Sequence, residues 1–375
     1  MPPATDPAPL EMTADTRAGE QTLLPGQSPQ GEYILSVLVK RTFEIAAGRE
    51  CTRAAEDEPL NAGDVFWDHP MNSSVRFESD FIPYKLGTDV VLNGTAHVPG
   101  GVATASCTVG LQVEQRRKIL RVVGDRRAEY SGGATPVFTD PAPFTTMPLQ
   151  YERAYGGIDV YSDLKVPYPY PRNMLGRGFV VSNNAAALAK LSLPNIEDAS
   201  APLTPDTLCL GEYAQWETRP LPAGFGWFPK TWLPRASLAG VMPRDRAMEQ
   251  ELRRAYAEHV PADQREAYLT NGFRDMDFRF FNGASAGQAF PYLKGGEAIA
   301  TANLSPAGRL DFQLPRDAPR VGIDIGEGIQ EPDVVLQTVM IRMDDAQVDL
   351  VWRAAIPYRG PDWLPEMTKL DLQIA

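Results

Sequence analysis

Histidine and cysteine are scarce, with three of each in 375 residues. His69, His97 and His259 stand alone in sequence, and Cys51, Cys107 and Cys209 are widely spaced with no CxxC pair. Zinc sites draw on closely spaced Cys and His, and disulfide frameworks on even sets of cysteines. Neither is offered, so no metal, no cofactor and a reducing compartment are expected. No apolar run approaches the roughly 20 residues that a membrane-spanning helix needs, Tyr33 to Val39 being among the longest. Positive charge is also short: 36 Lys and Arg stand against 48 Asp and Glu, a net charge of −12 at pH 7. Nucleic-acid binding depends on a basic stripe that releases counterions, so this balance argues against it. The local group Arg116, Arg117, Lys118 and Arg121 reads as the solvated face of a strand. The first 31 residues lack the basic start and apolar core of a signal peptide and carry Asp6, Glu11, Asp15 and Glu20. They read as a disordered leader, and the expected location is cytoplasmic, without membrane insertion.

What is abundant is turn chemistry: 34 prolines and 31 glycines run through the whole chain, which favours short strands over long helices. Apolar residues make up 43%, enough for a sizeable core. Tyr33 to Ile45 reads as strand without helix caps. Cys107, Val109, Leu111 and Val113 alternate with polar neighbours, a turn is expected near Gln115 to Lys118, and Ile119 to Val123 completes a hairpin before Gly124-Asp125. A second hairpin is expected from Val334 to Met343 and Val348, Leu350 and Trp352, broken at Asp344 to Gln347. Strands near both ends imply one β-rich body over residues 32–357, sandwich-like and antiparallel, with a tail at 358–375. Within it, Pro136 to Gly240 reads as long aromatic, Pro- and Gly-rich loops, with Pro167 to Pro171 extended as polyproline II. A small helical lobe is expected at 244–270, from an amphipathic stretch Arg244 to Val260 ended by Pro261 and a shorter helix Ala262 to Thr270.

Catalytic chemistry finds little support. Gly283-Ala-Ser285-Ala-Gly287 fits the G-x-S-x-G nucleophile elbow, but an elbow opens into a helix and its histidine follows the serine, and here Phe290-Pro291 follows and no histidine lies beyond His259. Gly322, Gly326 and Gly328 match no phosphate-loop spacing and read as turns. Glu152, Glu197, Asp275 and Asp277 are carboxylates that a hydrolase or carbohydrate-acting enzyme would have to pair, at distances sequence does not give. No catalytic residue is assigned.

Six mixed motifs remain: Gly124-Asp-Arg126, Tyr151-Glu-Arg-Ala-Tyr-Gly-Gly157, Asn173-Met-Leu-Gly176, Leu193-Pro-Asn-Ile-Glu197, Pro222-Ala-Gly-Phe-Gly226 and Asp277-Phe-Arg-Phe-Phe-Asn282. Four of the six join a charged or amide side chain to glycine or an aromatic, which suits the bracing of long loops by buried polar networks, or a cleft for a peptide. In this order they resemble the family known as domain of unknown function 2169, from about Leu35 to Trp352. The resemblance implies a protein of type VI secretion gene clusters, an adaptor or chaperone that stabilises a toxic effector and helps load it onto the spike. The implied partners are the effector and the spike protein; no enzymatic activity and no particular site residues are implied. The leader and the insertion-like stretch Val160 to Pro171 depart from the family pattern. An adaptor would expose an aromatic patch, and Tyr168, Tyr170, Trp227, Phe228 and Trp232 are the expected partner-binding anchors. The alternatives are the enzyme just described and a structural component of the secretion baseplate.

Overall fold

The computed structural model describes residues 19–82, 84–130, 136–160, 162, 167–181, 188, 191–208, 213–232, 235, 265, 278–360, 363 and 370–375. The expected helical lobe at 244–270 lies outside these residues, apart from Arg265.

The β-rich body is built on two sheets. Strands β1 (Glu20–Gln27), β2 (Tyr33–Glu44), β3 (Thr52–Arg53), β4 (Thr88–Asn93), β5 (Ser106–Val113), β6 (Arg116–Val123), β7 (Ile196–Asp198), β8 (Ala289–Phe290), β9 (Ala298–Ala302), β10 (Arg309–Gln313), β11 (Val321–Asp324), β12 (Val334–Arg342), β13 (Gln347–Pro357) and β14 (Asp371–Ile374) carry most of it. A seven-stranded sheet runs β1-β2-β13-β12-β4-β8, with β3 also paired to β2; a five-stranded sheet runs β7-β6-β5-β9-β10. Pairing in both is antiparallel except for β12 beside β4, where Thr338 lies opposite Asp89.

β2 pairs with β13 from Ile34 opposite Pro357 to Glu44 opposite Gln347, so the two ends of the body meet in one ladder, the non-local pairing that strands near both ends of the chain imply. One face of this ladder, with Phe43, Val348, Leu350 and Trp352, packs on Val109, Leu111, Leu120, Val122, Ile299 and Phe312 of the five-stranded sheet. That contact is the sandwich core. The β5–β6 hairpin turns at Glu114 and Gln115, and Arg116 already belongs to the return strand, so the turn is tighter than expected. Glu114 takes φ 51° to close it, the left-handed conformation that two-residue hairpins favour.

Two boundaries are corrected. Glu20–Gln27, assigned to the leader by its acidic, Pro-containing composition, forms the outer strand β1, paired from Glu20 opposite Lys40 to Gln27 opposite Tyr33. An outer strand tolerates Pro25 because one row of its backbone groups is not needed for pairing. The link to β2 is held by Ser28, whose Oγ accepts the Gln30 and Glu32 amides at 3.2 Å each. The tail likewise ends in β14, paired to β11. Its alternating Leu370, Leu372 and Ile374 cover Leu35, Val37, Ala354 and Ile356 on the seven-stranded sheet, beyond the reach of the second sheet.

The long loop region holds short ladders and a core of its own, in which Tyr155, Tyr170, Phe179, Leu188, Leu193 and Trp216 pack together. Tyr168–Pro169 is extended, as expected, but pairs with Ile158–Asp159 in a ladder.

Leu372 separates the two views of the tail. Leu372→Ala is expected to cost about 2–5 kcal/mol in urea-induced unfolding, as for a core leucine; a loss within about 0.5 kcal/mol, the range of a surface substitution, would mean that β14 is not part of the core.

Candidate functional site: a buried ionic layer

The second face of the seven-stranded sheet is not apolar. β2 turns Lys40 and Thr42 to it, β4 contributes Asp89 and Val91, β12 contributes Thr338, Met340 and Arg342, and β13 contributes Asp349. The described segments 57–82, 84–85, 225–232 and 278–288, with Arg235, cover this face, and a buried carboxylate or ammonium there is tolerable only when paired.

Each is paired. Lys40 Nζ lies 3.0 Å from Asp80 Oδ2 and donates to Pro59 O at 3.0 Å. Lys85 Nζ lies 2.7 Å from Asp89 Oδ2 and donates to Thr338 Oγ1 at 3.0 Å, with the Trp227 ring 4.9 Å away. Arg342 grips Asp349 with two bonds of 2.9 and 3.1 Å, and Thr42 Oγ1 donates to the same carboxylate at 2.8 Å. Glu78 is held by Arg235 and, at 3.1 Å, by Lys230, which also lies 2.7 Å from Asp64. Lys40, Lys85, Lys230, Arg235 and Arg342 thus answer Asp64, Glu78, Asp80, Asp89 and Asp349 one for one. Gly283 closes the layer: a Cβ there would collide with Glu78 and Arg235.

Burial and pairing compete differently at each carboxylate. Burial pushes Glu78 up, but Arg235, Lys230 and Lys85 together overcome it and hold the group below the ordinary carboxylate range. At Asp80 burial prevails over Lys40 and the pKa is raised. At Arg342 burial works downward, but Asp349, Glu58 and Asp345 prevail and keep the guanidinium more firmly charged.

The layer surrounds a cavity of about 10 Å³ lined by Lys40, Glu78, Asp80, Thr338 and Asp349. Sites for organic ligands run to roughly 300–1,000 Å³. As described, the charges grip one another and not a substrate.

The mixed motifs act as braces in the same sense. Asp89 is the hub of the last one, accepting Asn282 Nδ2 at 3.0 Å and the Gly283 amide at 2.9 Å. Asn173 Nδ2 donates to Tyr151 O at 2.8 Å and Tyr155 O at 3.1 Å, tying two motifs together. Asn195 Nδ2 donates to Val123 O at 2.9 Å and Asp125 Oδ1 at 3.0 Å, and Glu197 two residues on pairs with Arg126. Gly156, at φ 149°, leaves no room for a Cβ against Asn173. Glu152 accepts the Ser74 amide at 2.5 Å and its hydroxyl at 2.7 Å, so it and Glu197 are committed to separate contacts; Asp275 and Asp277 lie outside the described residues.

The expected aromatic anchors do not form an exposed patch. Tyr170 is fully buried among Tyr155, Phe179 and Trp216, and its hydroxyl donates to Pro220 O at 2.9 Å. Trp227 is buried against Val75, Val91 and Met340 in the ionic layer. Tyr168 is half-buried on the loop core, while half-buried Phe228 and Trp232 stack in a chain from Tyr151 to Phe280. The loop core takes in Tyr170 and the ionic layer Trp227, so these two are not surface anchors, while Tyr168, Phe228 and Trp232 keep part of their surface exposed. The basic group is dispersed too: Arg116 reaches Ala289 O and the Phe290 ring, Arg121 lies 3.5 Å from Glu197, and Lys118 points inward. Gly326 and Gly328 turn their amides onto Asp324 at 2.8 and 3.1 Å, as turn residues do, whereas Gly322 lies within β11 opposite Gln373 and is not a turn. Among the described residues no group of three or more His, Cys, Asp or Glu is arranged to hold a metal, and no described helix is long and apolar enough to cross a membrane.

Glu78 offers the sharpest check on the layer. Its folded pKa lies below its unfolded value, so its contribution is complete at neutral pH and is lost as pH falls through the folded value. Glu78→Gln leaves Lys230 and Arg235 short of charge and is expected to cost about 3–5 kcal/mol at pH 7. The gap from wild type should narrow below about pH 4; urea titrations showing an equal gap at both pH values would remove Glu78 from the layer.

Comparison with curated proteins and with solved structures finds no match. A family model described as "uncharacterized protein conserved in bacteria (DUF2169)" matches residues 30–353. That span takes in the five-stranded sheet, the seven-stranded sheet apart from β1 and the end of β13, the ionic layer and all six motifs, and the chain belongs to the DUF2169 family.

Proposed function

We propose that the chain is a type VI secretion adaptor, which binds and stabilises a toxic effector in the cytoplasm and helps load it onto the spike protein. The observation that carries this reading is how the charge is used. Buried ion pairs hold long loops to a sheet in one shape, and a preorganised surface loses less conformational entropy when it captures a partner. A shallow groove of about 170 Å³ on the outer face of the five-stranded sheet, floored by Gly110, Ala300 and Ala302, adds a concave surface on that open side. The net charge of −12 suits a basic effector drawn in by long-range attraction. The rival carbohydrate-acting or hydrolytic enzyme with paired carboxylates draws less support, because Glu152 and Glu197 have separate partners.

Co-expression with the toxin encoded nearest to this gene, followed by pull-down and size-exclusion chromatography, tests the reading. A stable complex is expected, with the toxin insoluble or degraded when expressed alone. Absence of any complex with toxin or spike would overturn it, and stoichiometric retention in purified baseplates would favour the structural alternative. Association should slow steeply as salt rises from 50 to 500 mM, about the range over which screening shortens from above 10 Å to below 5 Å; a salt-independent on-rate would contradict electrostatic steering.

A further inference from the structure

The G-x-S-x-G run is not a strand-to-helix elbow. Phe278–Phe281 before it is a 3-10 turn, not the strand its composition suggests, and β8 follows. Ser285 nevertheless sits in a chemically specific place. Its Oγ lies 2.7 Å from Lys118 Nζ, which projects from the inward face of β6. The same nitrogen lies 3.0 Å from Ala286 O and 2.8 Å from Gln288 Oε1. The orientation of the Gln288 amide follows from its other end, where Nε2 donates to Val90 O at 2.8 Å and Phe225 O at 2.9 Å.

A carbonyl oxygen only accepts, whereas a serine hydroxyl donates or accepts. A neutral lysine amine has two N–H bonds and one lone pair. The ammonium form donates to all three oxygens, Ser285 Oγ included; the neutral amine keeps the two carbonyl oxygens on its N–H groups and turns its lone pair to the Ser285 hydroxyl. The carboxylate that acts on Lys118, Asp198, does so from beyond ion-pair range. Burial, opposed by Asp198, pushes the Lys118 pKa down to about 7, so much of the amine is neutral at physiological pH. Beside Ser285 stands Tyr151, whose buried hydroxyl has no hydrogen-bond partner of ordinary geometry among the described residues. Burial pushes its pKa up to about 12, which keeps it a proton donor.

We propose that Ser285 is a nucleophile toward ester or thioester acyl donors, with Lys118 Nζ as its general base and the Tyr151 hydroxyl as a donor to the acyl oxygen. As the bond from Oγ to the acyl carbon forms, the Ser285 proton passes to Nζ. Collapse of the tetrahedral intermediate breaks the bond to the leaving group, which takes that proton, and Lys118 is neutral again beside O-acyl Ser285. Serine–lysine pairs are a known variant of the serine–histidine arrangement, which answers the missing histidine. Ser285 is only 2% exposed, but it lies under the exposed turn residues Ala286 and Gly287, and nothing stands within 4 Å of where a Cβ would be on Gly287. On this proposal a reagent reaches Ser285 from the solvent side of this turn. This site stands apart from the adaptor reading and neither depends on the other.

The test is to treat the full-length folded protein with a fluorophosphonate and with p-nitrophenyl acetate and to map adducts by peptide mass spectrometry. A single adduct on Ser285 is expected, forming faster as pH rises, with a midpoint near 7. Ser285→Ala should remove it, and Lys118→Met should slow it by on the order of a hundredfold. The pH profile of the unmodified protein keeps the proposal falsifiable if either variant fails to fold. No adduct on Ser285 between pH 6 and 9, an adduct only in urea, or a rate that simply follows hydroxide would overturn it.

Discussion

A loop cannot cover a sheet as another sheet does. Its backbone amides and carbonyls are not paired along a ladder, and burying them against an apolar surface is costly. The seven-stranded sheet meets this constraint on its second face by presenting charge. Lys40, Asp89 and Asp349 stand in buried strands, and each reaches a loop partner or fixes a neighbouring strand residue. The first face, free of that constraint, is closed by the second sheet with aliphatic and aromatic side chains. The remaining architecture follows from this division, because the loops of 57–82 and 278–288 take their shape from the charges beneath them.

The motifs that characterise the chain are the joints of this arrangement. Asn173 and Asn195 each use a side-chain amide to bind backbone carbonyls of a neighbouring segment, doing for irregular chain what a ladder does for strands. Asp89 gathers the Asn282 amide and the following backbone, and so joins β4, Lys85 and the turn that carries Ser285. Pairing of this kind is weak evidence for stability, since well-packed apolar groups often serve equally well. Its consequence is specificity: the loops have one arrangement in which every charge is answered.

The strands were legible where one face is solvated or the pattern is long. The β5–β6 and β12–β13 hairpins could be read from Val109, Leu111 and Val113 and from Val348, Leu350 and Trp352, because period-two burial writes itself into residue type. β1 and β14 were hidden because an outer strand with Pro25 and Gly26, and a four-residue strand at the chain end, resemble leader and tail in composition. The ionic layer was the least legible part. Lys40 between Val39 and Arg41 looks like any charged strand residue, and its partner Asp80 is distant in sequence. The available signal was a charge directly after the largely apolar run Tyr33 to Val39. The aromatic anchors misled for the reverse reason: Tyr170 and Trp227 are as suited to a private loop core as to a partner, and composition does not distinguish inside from outside.

The central claim is that charge pairing makes the loops part of the rigid body. Native-state hydrogen exchange on the free protein measures this directly, since it ranks each amide by the opening that exposes it. If the ionic layer binds the loops to the sheet, the Asn61, Ile82 and Gly283 amides, which are hydrogen-bonded within this layer, exchange only in the same global opening as those of β2 and β13. Exchange of these amides many orders of magnitude faster than the sheet, with β2 and β13 still protected, would show that the loops open on their own and that the layer does not hold them.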